Sequence, residues 1–145
     1  MKKYRIYLDN CCFNRPYDDQ TYWLIQLETE AKLFVQQAIL QSKFELVWSY
    51  ILDYENAANP YQNRKQAITK WRKIAVLDVD VSETVVNYGK KIMLKGIKKK
   101  DALHLACAIE AKCDYFLTTD KKLLKMTFDE IIAISPIDFI KILGI

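Results

Sequence analysis

The 145-residue sequence has few residues of the types that mark specialised protein classes. It contains three Gly, three Pro and one His. So little Gly and Pro excludes a collagen-like or low-complexity chain, and a hydrophobic fraction of 51% is enough for an ordinary packed core. The single His excludes a metal site built from several histidines. We therefore expect one globular domain over residues 1–145.

The sequence also lacks a strong charge imbalance, a cysteine motif and a long apolar run. Its formal net charge of +4 permits attraction to polyanions without the basicity of a histone-like protein. The spacing of Cys11, Cys12, Cys107 and Cys113 is not that of a zinc or redox motif, so free thiols are expected. No apolar run approaches the roughly 20 residues that span a bilayer, and Arg5 interrupts the N-terminal one. We expect a cytoplasmic protein with no membrane contact.

Short apolar segments alternate with longer helical patterns along the chain. The predicted strands are 4–8, 44–48, 76–81, 115–118 and 131–134. The predicted helices are 20–42, a helix after Ser49, 60–74, 82–95, 99–112, a short helix after Asp120 and one from Pro136. This alternation is typical of helices packed on both faces of a parallel sheet. We expect an α/β fold, a three-layer α/β/α sandwich with a mostly parallel central sheet of about five strands.

Four acidic residues come from segments that such a sheet could bring together. Asp9 follows the first strand, Glu55 lies on the helix after the second, Asp101 begins the helix before the fourth, and Asp120 follows the fourth. Ligands of open parallel sheets bind at the carboxyl ends of the strands. Clustered carboxylates cannot all ionise without a compensating cation, and oxygen ligands suit Mg²⁺ or Mn²⁺ better than zinc. The sequence therefore predicts a divalent metal site.

Each of these acids also has a simpler structural explanation. Asp120 precedes a short helix and could serve only as its N-cap, and Asp101 could serve only as an acidic group in a first helical turn. Glu55 alone would be an ordinary helix acid. Asp9 is harder to explain, because no turn pair follows it. His104, three residues after Asp101, could ligate a metal or pack in the core.

Basic and aromatic residues flank the predicted acidic centre. Lys98, Lys99 and Lys100 precede Asp101, and Lys121 follows Asp120. A lysine-rich rim around a metal centre is suited to an anionic backbone, and these four lysines are candidate RNA-binding residues. Three aromatic residues after the first strand, namely Tyr17, Tyr22 and Trp23, are candidates for stacking on unpaired bases.

Three segments of the chain form a pattern when they are taken together: IYLDNCCFNRP near the start, WSYILDYEN in the middle and KDALHLACAIEAKCDYFLTTDKKLLK near the end. Together they resemble the PIN-domain family, in particular its bacterial toxin ribonucleases of the VapC type. The last segment is the most specific, since DALHLA and CDYFLTTD agree in order, spacing and predicted context. The resemblance extends over nearly the whole chain.

The resemblance implies a function and a set of site residues. Asp9, Glu55, Asp101 and Asp120 are implied to be the catalytic acids, which hold Mg²⁺ or Mn²⁺ and activate water for cleavage of RNA. Asn10 and Thr119 are implied to support them, and Asp114 is implied to be structural. The resemblance also implies a homodimer and a small antitoxin protein that blocks the site. Cys11 departs from the small or hydroxyl residue common in the family, so another donor would have to orient a metal-bound water.

Two other functions remain open from the residues. One is a phosphatase with an aspartyl nucleophile after the first strand, although that chemistry requires a second acid where Cys11 stands. The other is a catalytically silent module that keeps the fold for contacts with RNA or protein. The presence of all four acids favours the nuclease.

Overall fold

The computed structural model describes residues 3–144 and contains a central sheet of five parallel strands in the order β3-β2-β1-β4-β5. The strands are β1 (Tyr4–Leu8), β2 (Phe44–Ser49), β3 (Leu77–Val79), β4 (Tyr115–Leu117) and β5 (Ile132–Ile134). The chain adds β2 and β3 on one side of β1 and then β4 and β5 on the other. The predicted α/β/α sandwich is confirmed. All five strands are parallel, and the order in which the chain adds them reverses between β1 and β4.

Within residues 3–144, eight α-helices flank this sheet. They are α1 (Asn10–Asn14), α2 (Trp23–Leu40), α3 (Tyr50–Ala57), α4 (Gln62–Ile74), α5 (Glu83–Met93), α6 (Lys99–Glu110), α7 (Lys121–Leu124) and α8 (Pro136–Ile142). A short 3₁₀ helix, Arg15–Tyr17, joins α1 to α2. None of the helices in this part of the chain is long and apolar enough to cross a membrane.

The central strands are the most deeply buried elements. Ile6, Tyr7 and Leu8 of β1 are completely inaccessible to solvent, as are Phe116 and Leu117 of β4. The part of a strand that is covered on both faces must be apolar, which explains the apolar runs at 6–8 in β1 and Tyr115–Leu117 in β4. The helices pack in pairs, α2 with α8 and α5 with α6.

Several predicted helix starts are confirmed by their caps. The Ser49 hydroxyl accepts a hydrogen bond from the amide of Leu52, and Ser82 accepts one from Val85 in the same way. Such caps satisfy amides that have no partner within the helix. These serines therefore fix where α3 and α5 begin.

Other boundaries differ from the prediction. Helix α1 was not predicted, because five residues are too few to show a helical period. Helix α2 begins at Trp23 rather than near 20, because Asp19 accepts hydrogen bonds from the amide and hydroxyl of Thr21 in a local turn. Helix α4 begins at Gln62, since Asn59 turns the chain by accepting from the Tyr61 amide.

Helix α2 has much of its apolar surface on the outside. The exposed apolar side chains on this helix are those of Trp23, Leu24, Leu27, Leu33, Phe34 and Leu40. Its buried residues include Glu28, Lys32 and Gln36. The recurrence of Leu24, Leu27 and Phe34 at helical spacing thus marks a face that is left uncovered here.

Candidate active site

An open cleft of about 470 Å³ lies at the carboxyl ends of β1 and β4, where the strand order reverses. Its lining includes all four predicted acids, Asp9, Glu55, Asp101 and Asp120, together with Asn10, Cys11, Asn14, Arg15, Asp18 and Thr119. Parallel sheets place ligand sites at such a switch point. The cleft is therefore rich in carboxylates and amides, with one lining cation.

Asp9 is the most rigidly held of the acids. It is only 5% exposed, and its side chain accepts hydrogen bonds from the Thr118 hydroxyl at 2.8 Å and the Asn10 amide at 2.8 Å. The second of these bonds makes Asp9 the N-cap of α1. The Asp9 amide donates to the Leu117 carbonyl at 2.9 Å, so the residue still follows the register of β1 against β4. Strand pairing and capping together fix this carboxylate at the base of the cleft.

Glu55 reaches the cleft from α3 and is held by two side chains. Its Oε1 contacts His104 Nε2, and its Oε2 accepts from the Asn10 side-chain amide at 3.2 Å. Partial burial acts to raise the pKa of Glu55, but hydrogen bonding and charge from His104, with a further contribution from Lys100, lower the pKa overall. Glu55 is therefore held as an anion that faces the other acids.

His104 connects the acids to the core. The ring is fully buried, and its Nε2 lies 3.8 Å from Asp9 Oδ1 as well as against Glu55. Its Nδ1 lies 2.5 Å from the Tyr7 hydroxyl, which in turn lies 2.6 Å from Ser49 Oγ. Burial raises the pKa of Tyr7 well above its ordinary value, so the phenol keeps its proton and links the two neighbours. The contact with the buried Tyr7 hydroxyl thus fixes the orientation of the His104 imidazole.

Asp101 and Asp120 complete the acidic lining. Burial raises the pKa of Asp101, and the neighbouring charges of Asp9 and Asp120 raise it further. Asp120 has the capping role that its sequence position suggested, because its Oδ1 accepts from the amides of Lys122 and Leu123. The same residue nevertheless lines the cleft. Capping and a site role are therefore compatible at this position.

The hydroxyl that supports Asp9 belongs to Thr118 rather than to Thr119. Thr118 is fully buried, donates to Asp9 Oδ2 and accepts from the Asp120 amide at 3.1 Å. Thr119 lines the cleft, and its backbone amide lies 3.3 Å from Cys11 Sγ. Successive side chains of an extended segment point to opposite sides, so a displacement of one residue decides which threonine reaches the acid.

The predicted RNA-binding lysines surround the cleft without lining it. Lys98 is the N-cap residue of α6, with Lys99 and Lys100 in the first turn, and Lys121 begins α7. The charge of Lys100 contributes to lowering the pKa of Glu55, and its Nζ is 5.3 Å from the centre of the Tyr54 ring.

The sequence pattern does not indicate a role for Arg15, but this residue lines the cleft and pairs with Glu28 and Asp18. Three residues named from the sequence lie outside the cleft. Asp114 accepts a hydrogen bond from the Arg5 amide, which joins the start of β4 to β1. Tyr22 and Trp23 are exposed at the start of α2 and do not line the cleft.

The four cysteines are free, and only Cys11 is partly exposed. Burial raises the pKa of Cys107 to about 12 and also raises that of Cys113. The pKa of Cys12 is raised by its hydrogen bond with Cys11 and, in addition, by burial. These three thiols are therefore inert packing groups. Cys11 Sγ lies 3.5 Å from Asp9 Oδ2, at the position where a small or hydroxyl residue is common in the family that the sequence resembles.

Among residues 3–144, no group of three or more His, Cys, Asp or Glu side chains is arranged to hold a metal ion. The chemistry of the cleft nevertheless fits a hard divalent cation. The acids present carboxylate oxygens to one space, and their mutual repulsion contributes to the raised pKa of Asp101. That repulsion is what a bound cation would relieve.

Comparison with known proteins agrees with this architecture. The crystal structure of VapBC2 from Rickettsia felis, bound to a DNA fragment from their promoter, is similar in fold with a TM-score of 0.55 at 13% sequence identity. The match covers 90% of this chain and 98% of that chain. No curated protein matches the sequence. The family model of the PIN domain matches residues 6–129, a range that includes all four acids, and the chain therefore belongs to the PIN-domain family.

Proposed function

We propose that this PIN-domain protein is a metal-dependent endoribonuclease that hydrolyses RNA phosphodiester bonds and acts as the VapC-type toxin of a type II toxin–antitoxin pair. The observation that carries the proposal is the convergence of Asp9, Glu55, Asp101 and Asp120 on one cleft. They come from four separate segments of the chain, and only the fold brings them together. An acidic cleft with a lysine rim is suited to cleaving a polyanion if a cation neutralises its centre.

Asp9, Asp101 and Asp120, with Glu55, are the residues that would hold Mg²⁺ or Mn²⁺. When bound, such an ion polarises a phosphoryl oxygen and lowers the pKa of water, which makes hydrolysis accessible at neutral pH. The protein's own contribution is to orient the carboxylates before substrate arrives. Thr118 holds Asp9, and His104 holds Glu55, through the contacts described above.

Asn10 acts on two of these acids at once. Its backbone amide donates to Asp9, and its side-chain amide donates to Glu55. Its own side-chain oxygen lies 3.3 Å from Asn14 Nδ2, so the amide group is held in place. Asn10 therefore couples the positions of acids from β1 and α3, which is consistent with the supporting role that the resemblance implies.

The proposal includes two protein partners, a second copy of this chain and a small antitoxin. A groove of about 440 Å³ between α2 and α8 is lined by apolar side chains that include Leu27, Phe34, Ile137 and Ile140. Contiguous exposed apolar surface of this kind is typical of protein contacts. The similar structure is a complex named VapBC2 and bound to promoter DNA. An antitoxin that masks apolar surface and the acidic cleft would keep the nuclease inactive.

The test is cleavage of RNA by the purified chain with Mg²⁺, with Mn²⁺ and with EDTA. We expect metal-dependent endonucleolytic products that Asp9→Asn reduces about 100-fold or more, because the amide keeps the shape but loses the anionic oxygen. Asp129→Asn, a change at an exposed acid away from the cleft, is the matched control. Equal activity of wild type and Asp9→Asn would contradict the proposal. Folded wild-type protein with no activity in either metal would favour a silent binding module.

A further inference from the structure

A second, smaller pocket of about 210 Å³ adjoins the acidic cleft. Asn10, Asn14 and Glu55 line both spaces, so the pocket and the cleft share a wall. The rest of the pocket comes from the end of α3, the segment 58–61 and the first turn of α4. A chain bound across the acids would therefore meet this pocket next.

One side of the pocket is formed by Tyr61 and Arg64, and Arg64 also packs against Tyr17, which lies outside the pocket lining. The Arg64 guanidinium carbon lies 3.9 Å from the centre of the Tyr61 ring and 4.8 Å from that of Tyr17. Tyr61 is 53% exposed, so much of its side chain is open to a ligand. Among residues 3–144, Arg64 has no acidic partner, which leaves its N–H groups available to an anion. A planar ring beside an uncompensated cation is suited to a base and its phosphate.

Another side of the pocket carries amide groups. Asn56 is 5% exposed, and its Nδ2 donates to the Lys65 carbonyl at 3.0 Å and to Thr69 Oγ1 at 2.9 Å. These two bonds fix the orientation of the amide, and its Oδ1 is left buried with no hydrogen-bond partner. Buried polar atoms are seldom left unpaired unless a water or ligand completes them. Amide oxygens of this kind pair with the amino groups of bases.

We propose that this pocket binds one unpaired nucleotide of the RNA beside the scissile phosphodiester, with its base stacked on Tyr61, its edge toward the asparagine amides and its phosphate near Arg64. The inference rests on the proposed function, because it places the nucleotide by its distance from the acidic cleft. The pocket requires an unpaired base, since a base within a duplex has no free face to stack on the ring. The basic helix α4, which carries Lys65, Lys70 and Lys73, extends the path for the backbone.

The experiment measures binding of fluorescein-labelled ten-nucleotide oligomers of rA, rC and rU by fluorescence anisotropy, in EDTA so that no cleavage occurs. Each oligomer is paired with an abasic one of the same length and charge. The variants are Tyr61→Ala, Tyr61→Phe and, as the control, Leu94→Ala, since Leu94 is an exposed apolar residue at 88% and lies outside the pocket. Far-ultraviolet circular dichroism establishes that each variant is folded.

We expect Tyr61→Ala to weaken binding of at least one base-containing oligomer by about 5-fold or more, as stacking of one base predicts. Tyr61→Phe and Leu94→Ala should stay within about 2-fold of wild type, and the abasic oligomers should bind wild type and Tyr61→Ala equally. Unchanged binding by Tyr61→Ala, or an equal loss for the abasic oligomers, would overturn the subsite. Failure of wild type to bind any oligomer would do the same.

The same variants separate this inference from the nuclease itself. Tyr61-dependent binding with no cleavage in Mg²⁺ or Mn²⁺ would support the nucleotide pocket and overturn the proposed reaction. Metal-dependent cleavage that Tyr61→Ala leaves unchanged in kcat/KM would support the reaction and overturn the pocket.

Discussion

Lys32 is a buried cation whose replacement should stabilise the protein. It lies on α2, is 5% exposed, and among residues 3–144 has no ion pair. Glu28, one turn earlier on the same helix, pairs with Arg15 instead. The Lys32 ammonium has only a contact with the Phe13 ring, 5.8 Å from the ring centre. The substitution Lys32→Met keeps a flexible side chain of similar length and removes the charge.

The size of the effect follows from the pKa. Burial lowers the pKa of Lys32 from 10.5 to about 8. Holding the protonated form in the folded protein at pH 7 therefore costs about 3 kcal/mol relative to the unfolded chain. We expect Lys32→Met to raise the free energy of unfolding by about 1 to 3 kcal/mol, since loss of the Phe13 contact offsets part of the gain. For a chain of this size that is a rise in melting temperature of about 3 to 10 °C.

The assay is urea unfolding of wild type and Lys32→Met at pH 7 and pH 10, with Lys43→Met as an exposed control. A lowered lysine pKa destabilises the fold fully below about pH 8, and the penalty is lost as pH rises toward 10.5. The advantage of the Met variant should thus shrink to about 1 kcal/mol or less at pH 10. Equal stability at pH 7, or an advantage that does not narrow with pH, would refute the reasoning.

Three further changes probe the site and its surroundings. His104→Leu should lower RNase activity about 10- to 100-fold, because Glu55 loses the contact that holds it. His104→Gln keeps a hydrogen-bond donor and should lose less activity. Equal losses of activity for the two variants in initial-rate assays would exclude a positioning role for His104. Replacing Lys98, Lys99 and Lys100 together with Gln should weaken RNA binding and reduce the dependence of the binding constant on salt concentration. If anisotropy titrations gave the same salt dependence as wild type, these lysines would be ordinary surface residues with no role in binding RNA. Phe34→Glu should leave the melting temperature within about 2 °C, because this side chain is exposed, but should reduce self-association in light scattering; an unchanged mass would exclude the α2–α8 groove from the homodimer.

The sequence predicts the layers of the fold well, because its strands contain short apolar runs and several of its helices have clear caps. Ser49, Ser82 and Ser135 each mark the start of a helix. The partner of each strand is less predictable, since it depends on which side of β1 each crossover takes. The sequence also does not show which face of α2 is buried. Its recurring Leu24, Leu27 and Phe34 are exposed, because the helix turns Glu28 and Lys32 toward the core.

Asp9 and Asp120 could be named from the sequence because each follows a strand, where a parallel sheet presents its ligands. Asp101 and Glu55 lie on helices, and the resemblance to the PIN-domain family implied that they join the other two. Their supporting groups depend on contacts between distant segments. Thr118 could not be distinguished from Thr119 without the direction of the side chain, and Tyr7 reaches His104 across 97 residues of sequence. The pocket beside Tyr61 and Arg64 was not predicted for the same reason, since it forms where α1, α3, the segment 58–61 and α4 meet.

The central claim is that the four acids form one divalent metal site. Its most direct test is the change in melting temperature caused by Mg²⁺ or Mn²⁺ at constant ionic strength in wild type, Asp101→Asn, Asp120→Asn and the control Asp129→Asn. Asn caps a helix about as well as Asp, so Asp120→Asn removes charge while preserving the start of α7. At about ten times the dissociation constant, the metal should stabilise wild type and the control by roughly 1.4 kcal/mol, or about 3 to 6 °C. Both site variants should lose most of that increment and, without metal, be as stable as wild type or more so, because mutual repulsion is relieved. Equal metal-induced shifts in all four proteins would contradict the shared site.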